Sequence, residues 1–216
     1  MLAAVSVAPT FELERGSWRF FPPPERGALG ALLLEGLIAI RIQAGRTAHI
    51  EILGTGDLIS PWVRQGDELN LPSAVSSTIV SAGRIALLDR RFALRTARWP
   101  EIQAALLQRV VARARRLSLQ AAINSLPRIE QRLEATFWAL GQRLGRVTPD
   151  GITLALPITH SQLSELVGAQ RPSVSMALSR LHASGTLCRR GRDQWLLPGE
   201  PPAVLISLAR QAGLQA

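Results

Sequence analysis

The sequence predicts an α+β protein in which a β-rich N-terminal half is followed by a helical C-terminal half. Up to residue 98, short apolar runs lie between glycine, proline and aspartate residues, a spacing that is typical of a β-sandwich or barrel. After Trp99-Pro100, helix-forming residues dominate and apolar side chains recur at spacings of three and four. With 47% apolar residues in 216, the chain has enough hydrophobic side chains for a sizeable core.

Five apolar runs of the N-terminal half are predicted to be strands. They comprise residues 28–34, 37–42, 49–53, 77–80 and 85–88. Pro22-Pro23-Pro24 predicts a stiff extended segment that is not part of a central strand.

One long helix is predicted from Pro100 to Ser125, because neither glycine nor proline interrupts this stretch after its first residue. Its apolar positions form a single stripe, made of Ile102, Leu106, Val110, Ala114, Leu117 and Ala121. The stripe can be buried against the β-rich half or against a second copy of the chain. The length of the helix and its arginine-rich polar face favour the second copy, and therefore a homodimer through residues 100–125.

The helical pattern breaks at Asn124-Ser125-Leu126-Pro127, which predicts a hinge and a new helix from Pro127 to Leu144. We therefore divide the chain into residues 1–98, a helix and hinge at 99–125, and a C-terminal domain at 126–216. A turn is expected at 145–151, a short strand at 152–156, and a short helix at 203–211 near the end of the chain.

Residues 158–185 predict two helices that are joined by a tight turn. Thr159 and Gln162 have the spacing of a capping box at a helix start, and Gly168 is a typical helix end. Pro172 suits the first turn of the second helix, and Gly185 closes it. The second helix has a polar, arginine-bearing face, as in a helix-turn-helix that places this helix in the major groove of DNA.

Two strands are predicted after the second helix, at 186–188 and 194–197. Their connection carries Arg189, Arg190 and Arg192, and so predicts a basic wing on the phosphate backbone, although a solvated turn is the alternative. The whole chain has a formal net charge of +9, and all of its basic residues are arginine. An excess of positive charge is typical of nucleic-acid binding proteins.

Residues 158–181 resemble the winged helix-turn-helix of the Crp/Fnr family of bacterial transcription regulators. The resemblance extends over nearly the whole chain and implies a β-roll sensor domain similar to cyclic-nucleotide-binding domains, a long dimerisation helix and a C-terminal DNA-binding domain. It implies a homodimeric, sequence-specific regulator whose partners are double-stranded DNA, a second copy of the chain and RNA polymerase. The operator and the direction of regulation are not specified by the sequence.

Eleven residues are expected to contact DNA, from the helix-turn-helix pattern and the resemblance together. They are Thr159, Ser161, Gln162, Arg171, Ser173, Ser175, Met176, Arg180, Arg189, Arg190 and Arg192. Arg171 matches the arginine with which the family reads guanine. Pro172 stands where the family often has glutamate, and Met176 where it has a later arginine, so the resemblance implies a preferred operator that departs from the best-known one.

The sensor region departs from the family members that bind cyclic AMP. Gly56-Asp57-Leu58-Ile59 resembles the approach to their phosphate-binding cassette, but Ser60-Pro61-Trp62 replaces its Gly-Glu pair. Ser76-Ser77 stands near the position of the phosphate-binding arginine, and Arg64 or Arg84 could substitute for that arginine. We therefore expect an effector other than ordinary cyclic AMP, or none, and the effector-binding residues are unknown.

The remaining patterns argue against other classes of function. Cys188 is the only cysteine, so no multi-cysteine metal site is expected, and neither a cofactor nor a metal is predicted. Neither paired acid/base histidines nor a phosphate-binding glycine loop supports an enzyme. With no apolar run long enough to cross a bilayer and no signal-peptide pattern, we expect a cytoplasmic protein without membrane contact. The alternative function is a protein–protein adaptor whose helix-turn-helix no longer reads DNA.

Overall fold

The computed structural model describes residues 8–19, 27–59 and 73–211, with side chains at all of these positions except 73 and 208–211. By their internal packing the residues divide into two compact units, one ending at Ala114 and the other beginning at Arg115. The boundaries predicted at 98/99 and 125/126 stay predictions. The proline run at 22–24 and Ser60-Pro61-Trp62 lie outside the described residues.

An antiparallel six-stranded sheet forms most of the N-terminal unit. Its order is β1-β6-β3-β4, while β2 also pairs with β6 and β5 with β3. Its core is a cluster of aliphatic side chains that includes Leu33, Ile38, Leu53 and Ile85. The strands are β1 (Thr10–Leu13), β2 (Gly16–Trp18), β3 (Gly30–Ala44), β4 (Thr47–Leu53), β5 (Leu58–Ile59) and β6 (Ser73–Leu88).

Strands β3 and β6 are longer than the sequence indicates, because each joins two predicted strands into one. The register of the pair shifts between Leu33 and Ile38, so the strands bend without ending. Gly36 has a φ of +94°, and a Cβ there would lie 2.7 Å from the carbonyl oxygen of Ser81. A Cβ on Gly83 would overlap the backbone of Glu35. These glycines therefore mark a bulge where two strands approach closely, not a turn between strands.

Helix α1 (Arg90–Thr96) follows β6 and was not predicted, because seven residues are too few for a clear periodic pattern. The side chain of Asp89 caps it by accepting a hydrogen bond of 2.7 Å from the backbone N–H of Phe92. Phe92 is buried and joins Leu88 in a second apolar cluster.

The long helix is confirmed as α2 (Pro100–Asn124), which starts in the N-terminal unit. Its first turns pack through Leu106 against that unit's second apolar cluster. One turn further, Arg109 donates a hydrogen bond of 2.6 Å to the carbonyl oxygen of Gly56 in the β4–β5 turn. The predicted apolar stripe is therefore not buried as a whole, since Val110 and Leu117 remain exposed in the single chain.

A bidentate ion pair also fastens α2 to the sheet. The guanidinium of Arg113 holds both carboxylate oxygens of Glu51 at 2.8 and 2.6 Å and donates a third bond of 3.3 Å to the carbonyl of Leu58. Both side chains are largely buried. Since lysine cannot make this forked contact, the arginine-only composition has a structural use here.

The C-terminal unit combines helices with a four-stranded antiparallel sheet of order β7-β8-β10-β9. Leu133 and Phe137 of α3 lie at the centre of its core, and the Phe137 ring lies 4.7 Å from that of Trp195. The elements are α3 (Ile129–Leu144), β7 (Arg146–Thr148), β8 (Gly151–Ala155), α4 (His160–Val167), α5 (Arg171–Ala183), β9 (Cys188–Arg189), β10 (Gln194–Leu197) and α6 (Ala203–Gln211).

Three boundaries differ from the prediction. Helix α3 begins at Ile129 with Arg128 as its N-cap, so Pro127 precedes the helix and does not start it. Residues 146–148, predicted as part of a turn, form β7 because they pair with residues 151–153 of β8. The first wing strand is 188–189, displaced from the predicted 186–188. Local pattern does not show cross-strand pairing, which decides such boundaries.

We expect Gly83→Ala to destabilise the N-terminal unit by about 1–3 kcal/mol, because the new methyl group meets the backbone of Glu35 and the two strands must separate. Urea unfolding followed by circular dichroism measures the change. Gly45→Ala is the control, since nothing lies within 4 Å of a Cβ at that turn position, and we expect it to lose only about 1 kcal/mol through its positive φ. Equal losses in the two variants would contradict the close crossing of β3 and β6.

Candidate nucleic-acid interface

The first helix of the pair, α4, starts at the capping box that the sequence predicts. The Thr159 side chain accepts a hydrogen bond of 3.2 Å from the backbone N–H of Gln162, and the Gln162 side chain accepts one of 2.9 Å from the N–H of Thr159. Gly168 ends the helix in the left-handed conformation, with a φ of +63°. Two of the predicted DNA contacts, Thr159 and Gln162, thus hold the helix start.

Side chains from two other helices satisfy the carbonyl groups at the end of α4. Asn124, the last residue of α2, donates to the carbonyl of Leu166 at 3.2 Å. Gln120, one turn earlier, donates to Asn124 and to the buried hydroxyl of Thr136 in α3. The residue expected at the hinge is therefore hydrogen-bonded to the helix-turn-helix.

Arg132 of α3 completes this arrangement at the turn itself. Its guanidinium donates a hydrogen bond of 2.6 Å to the carbonyl of Leu126 and one of 3.2 Å to the carbonyl of Gly168. One side chain thus ties the segment before α3 to the turn before α5. These bonds hold the end of α4 and the following turn against α2 and α3.

Helix α5 buries one face and exposes the other, as the sequence predicts. Arg171, at its first position, is exposed, and its guanidinium makes no hydrogen bond or ion pair with the part of the chain that the structure describes. Met176 is 56% exposed. Ser173 is half-buried. The buried face consists of Val174, Ala177, Leu178 and Leu181.

A histidine that the sequence analysis did not single out lies beside the exposed face of α5. His160 Nδ1 lies 2.9 Å from the hydroxyl of Ser175, one of the predicted contacts, so His160 lies beside the exposed face of α5. Ser175 also donates to the carbonyl of Arg171 at 3.2 Å, which links the three residues. The sequence offered one signal for His160, because this residue stands between Thr159 and the exposed Ser161, which are both predicted DNA contacts.

Arg180, the last predicted contact on α5, is engaged within the unit. Its guanidinium lies 2.7 Å from a carboxylate oxygen of Glu130 in the first turn of α3. A hydrogen bond from the backbone of Glu130 itself and the nearby Arg180 guanidinium hold the pKa of the Glu130 carboxyl below its usual range. The structure therefore places Arg180 as a link between α5 and α3.

Each of the three wing arginines has a different environment. Arg189 lies 5.4 Å from the centre of the Trp195 ring and donates to the carbonyl of Arg192. Arg190 pairs with Asp150 in the β7–β8 turn at 2.8 Å. The Arg192 guanidinium is exposed and has no ion-pair partner among the described residues. The expected basic wing is therefore present, with one of its charges paired internally.

In the N-terminal unit, Arg84 is paired with carboxylates, and its role as a phosphate-binding residue stays a prediction. Its guanidinium lies 2.6 Å from a carboxylate oxygen of Glu35 and 4.0 Å from one of Glu12. These carboxylates, Glu35 first, raise the pKa of Arg84 above its ordinary value. The other candidate, Arg64, lies outside the described residues.

Among the residues that the structure describes, no group of three or more histidine, cysteine, aspartate or glutamate side chains could hold a metal ion. No helix in the same part of the chain has the length and hydropathy needed to cross a membrane.

The helix pair α4–α5 followed by the wing is typical of winged helix-turn-helix proteins, and in this chain it follows an N-terminal β domain. A family model described as the Crp-like helix-turn-helix domain matches residues 131–198. Residues 131–198 therefore match a Crp-like helix-turn-helix domain, and the resemblance of this segment to the Crp/Fnr family is confirmed.

Known proteins resemble this chain in sequence or in fold. A CRP-like cAMP-activated global transcriptional regulator of Mycobacterium tuberculosis is 27% identical over 181 residues, which are 80% of this chain and 77% of the relative. A CooA variant from Carboxydothermus hydrogenoformans shares the fold with a TM-score of 0.68 at 16% identity, covering 97% of this chain and 90% of that one. A CRP/FNR-family regulator from Thermus thermophilus gives a TM-score of 0.62 at 18% identity, covering 95% and 98%.

Two glutamates one turn apart on α3 should respond to pH in opposite directions. The depressed pKa of Glu130 contributes stability above about pH 4.3, which is lost as the pH falls through that pKa, whereas burial raises the pKa of Glu134 and makes its charged form unfavourable. At pH 7 we expect Glu130→Gln to destabilise and Glu134→Gln to stabilise, each by less than about 1 kcal/mol.

Urea unfolding of wild type and both variants at pH 7 and pH 3.5 measures these differences. Each variant serves as the control for the other, because both remove one carboxylate from the same helix. Both differences from wild type should shrink at the lower pH, where the wild-type carboxylates take up protons. Differences of the same sign at pH 7 would contradict the assignment.

Proposed function

We propose that this chain is a homodimeric, sequence-specific DNA-binding transcription regulator in which α5 reads base pairs in the major groove. The single observation that carries the proposal is the Arg171 guanidinium, which is exposed, has no ion-pair partner among the described residues, and lies at the start of a helix whose opposite face is buried. A major groove about 12 Å wide admits one α-helix, and arginine donates in bidentate fashion to O6 and N7 of guanine.

Neighbouring residues of α5 shape the expected preference. Pro172 has no group that accepts a hydrogen bond from cytosine, so one polar contact is missing at its position. The exposed Met176 side chain suits an apolar contact, for example with a thymine methyl group. We therefore expect one guanine contact in each half-site, flanked by contacts of apolar character.

Phosphate contacts are expected on both sides of α5. Ser161 and His160 lie at the start of α4, where unpaired backbone N–H groups and the helix dipole favour an anion. On the other side, the exposed Arg192 of the wing can neutralise a phosphate. These contacts raise affinity and salt sensitivity without adding sequence preference.

The exposed face of α2 supports the homodimer. Leu107, Val110, Val111 and Leu117 are between 39% and 63% exposed in the single chain and follow each other at spacings that place them on one side of the helix. A second copy of α2 is a suitable cover, because paired helices bury such a stripe along its length. Two recognition helices would then meet half-sites about 34–36 Å apart.

We also propose that any signal acts through the β domain and that ordinary cyclic AMP is not the effector. Arg84 is paired with Glu35, so a cyclic phosphate would have to displace that carboxylate, and the core of the described sheet is aliphatic. Ser60-Pro61-Trp62, in place of the Gly-Glu pair of cyclic-AMP-binding members, supports the same inference. We therefore do not extend the effector of the cyclic-AMP-activated relative to this chain.

Selection of bound fragments from random duplex DNA, followed by footprinting with and without cyclic nucleotides, tests the proposal. We expect a pseudo-palindromic site whose half-sites each contain one essential guanine, and an affinity that cyclic AMP does not change. Failure to bind any duplex at low salt would contradict DNA binding and support the adaptor alternative. A shift in affinity with cyclic AMP would contradict the effector proposal alone.

Arg171→Ala should lose about 1–3 kcal/mol at a single base pair of each half-site and relax the preference for guanine there. Fluorescence anisotropy with operator duplexes that carry each base at that position measures the effect. Arg180→Ala is the matched control, because it removes the same charge from the same helix but from a side chain that pairs with Glu130. If both variants kept the guanine preference, Arg171 would not be the base-reading residue.

Leu107→Glu should weaken self-association at least about 100-fold, because a symmetric helix pair buries this position twice and each buried leucine contributes about 1.5–3 kcal/mol. Sedimentation equilibrium measures the dissociation constant. Leu94→Glu is the control, since Leu94 is 67% exposed on α1 and Leu107 is 63% exposed on α2. A monomeric wild-type protein, or unchanged association in both variants, would contradict the proposed dimer.

A further inference from the structure

The wing contains one arginine whose charge is offset within the protein. Arg190 lies 2.8 Å from Asp150, while the neighbouring Arg192 has no ion-pair partner among the described residues. Asp150 belongs to a different connection, the β7–β8 turn, so this carboxylate is brought to the wing by the fold and not by sequence proximity. The pair has no role in packing the core, because both side chains are more than half exposed.

An exposed ion pair of this kind can readily exchange its carboxylate for another anion. The side chains of Arg190 and Asp150 are 51% and 60% exposed, and water at such a site reduces the attraction between opposite charges to a small net value. A phosphate oxygen offers the guanidinium the same type of acceptor as the carboxylate. DNA can therefore replace Asp150 as the partner of Arg190, and the pair opposes that replacement.

We propose that Asp150 is a positioning residue that limits how strongly the wing binds phosphate, by holding the Arg190 guanidinium in an internal ion pair until DNA displaces it. This inference deepens the proposed DNA-binding function and rests on it. Asp150 also places a negative charge beside the path of the phosphate backbone, which lowers affinity further. Since phosphate contacts carry no sequence information, Asp150 acts on specific and non-specific binding alike.

The test compares wild type with Asp150→Asn in fluorescence anisotropy, using a selected operator and an unrelated duplex over a range of salt concentrations. We expect Asp150→Asn to bind both duplexes about two- to fivefold more tightly, the range that corresponds to an exposed ion pair. The slope of log affinity against log salt should change by less than about 0.9, the value for a whole phosphate contact, because Arg190 contacts phosphate in both complexes. Asp150→Glu, which keeps the carboxylate, should retain wild-type affinity and slope.

Two further variants separate the ion pair from a general charge effect. Glu200→Gln removes one carboxylate from an exposed position of the same unit that forms no ion pair with Arg190, and we expect it to change affinity less than Asp150→Asn does. In an Arg190→Ala background, Asp150→Asn should lose its gain in affinity, because the released arginine is absent. Circular dichroism spectra establish that each variant is folded.

The outcomes distinguish this inference from the function on which it rests. An unchanged affinity in Asp150→Asn, an equal gain in Glu200→Gln, or a gain that persists without Arg190 would overturn the inference while the wild type still binds DNA. If the wild-type protein binds no duplex, the proposed function fails and this inference fails with it.

Discussion

The arrangement of the helix-turn-helix depends on how the carbonyl groups at the end of α4 are satisfied. A helix end leaves carbonyl oxygens without partners inside the helix, and burying them unpaired would be unfavourable. Here Asn124 from α2 and Arg132 from α3 donate to the carbonyls of Leu166 and Gly168. The turn that sets the direction of α5 is therefore fixed by the helices on either side of Pro127.

Arginine is used in two ways in this protein, which explains why a high positive charge alone does not locate the DNA-binding surface. Arg113 binds a largely buried carboxylate and supports the N-terminal unit, and Arg180 pairs with a carboxylate at the surface of its own unit. Arg171 and Arg192 have no such partner in the described part of the chain and are available for DNA. Composition gives the sign of the net charge, whereas the fold decides which charges are already compensated.

The sequence predicted the C-terminal unit better than the N-terminal one for a physical reason. Helix starts and ends such as Thr159 and Gly168 are local, so the capping box and the positive φ could be anticipated from spacing. The ion pair between Arg180 and Glu130 joins residues fifty positions apart, and no local pattern indicates it. The bulge at Gly36 and Gly83 likewise depends on the pairing of β3 with β6, so two continuous strands were interpreted as four.

The contact between Arg109 and the β4–β5 turn affects how information would travel through the N-terminal unit. A methyl group at Gly56 would collide with the Arg109 guanidinium, which means that turn and helix touch without any intervening space. A displacement of the β4–β5 turn would therefore act directly on α2 through Arg109. A ligand that moved this turn would not need to touch α2, because the Arg109–Gly56 contact already connects the two elements.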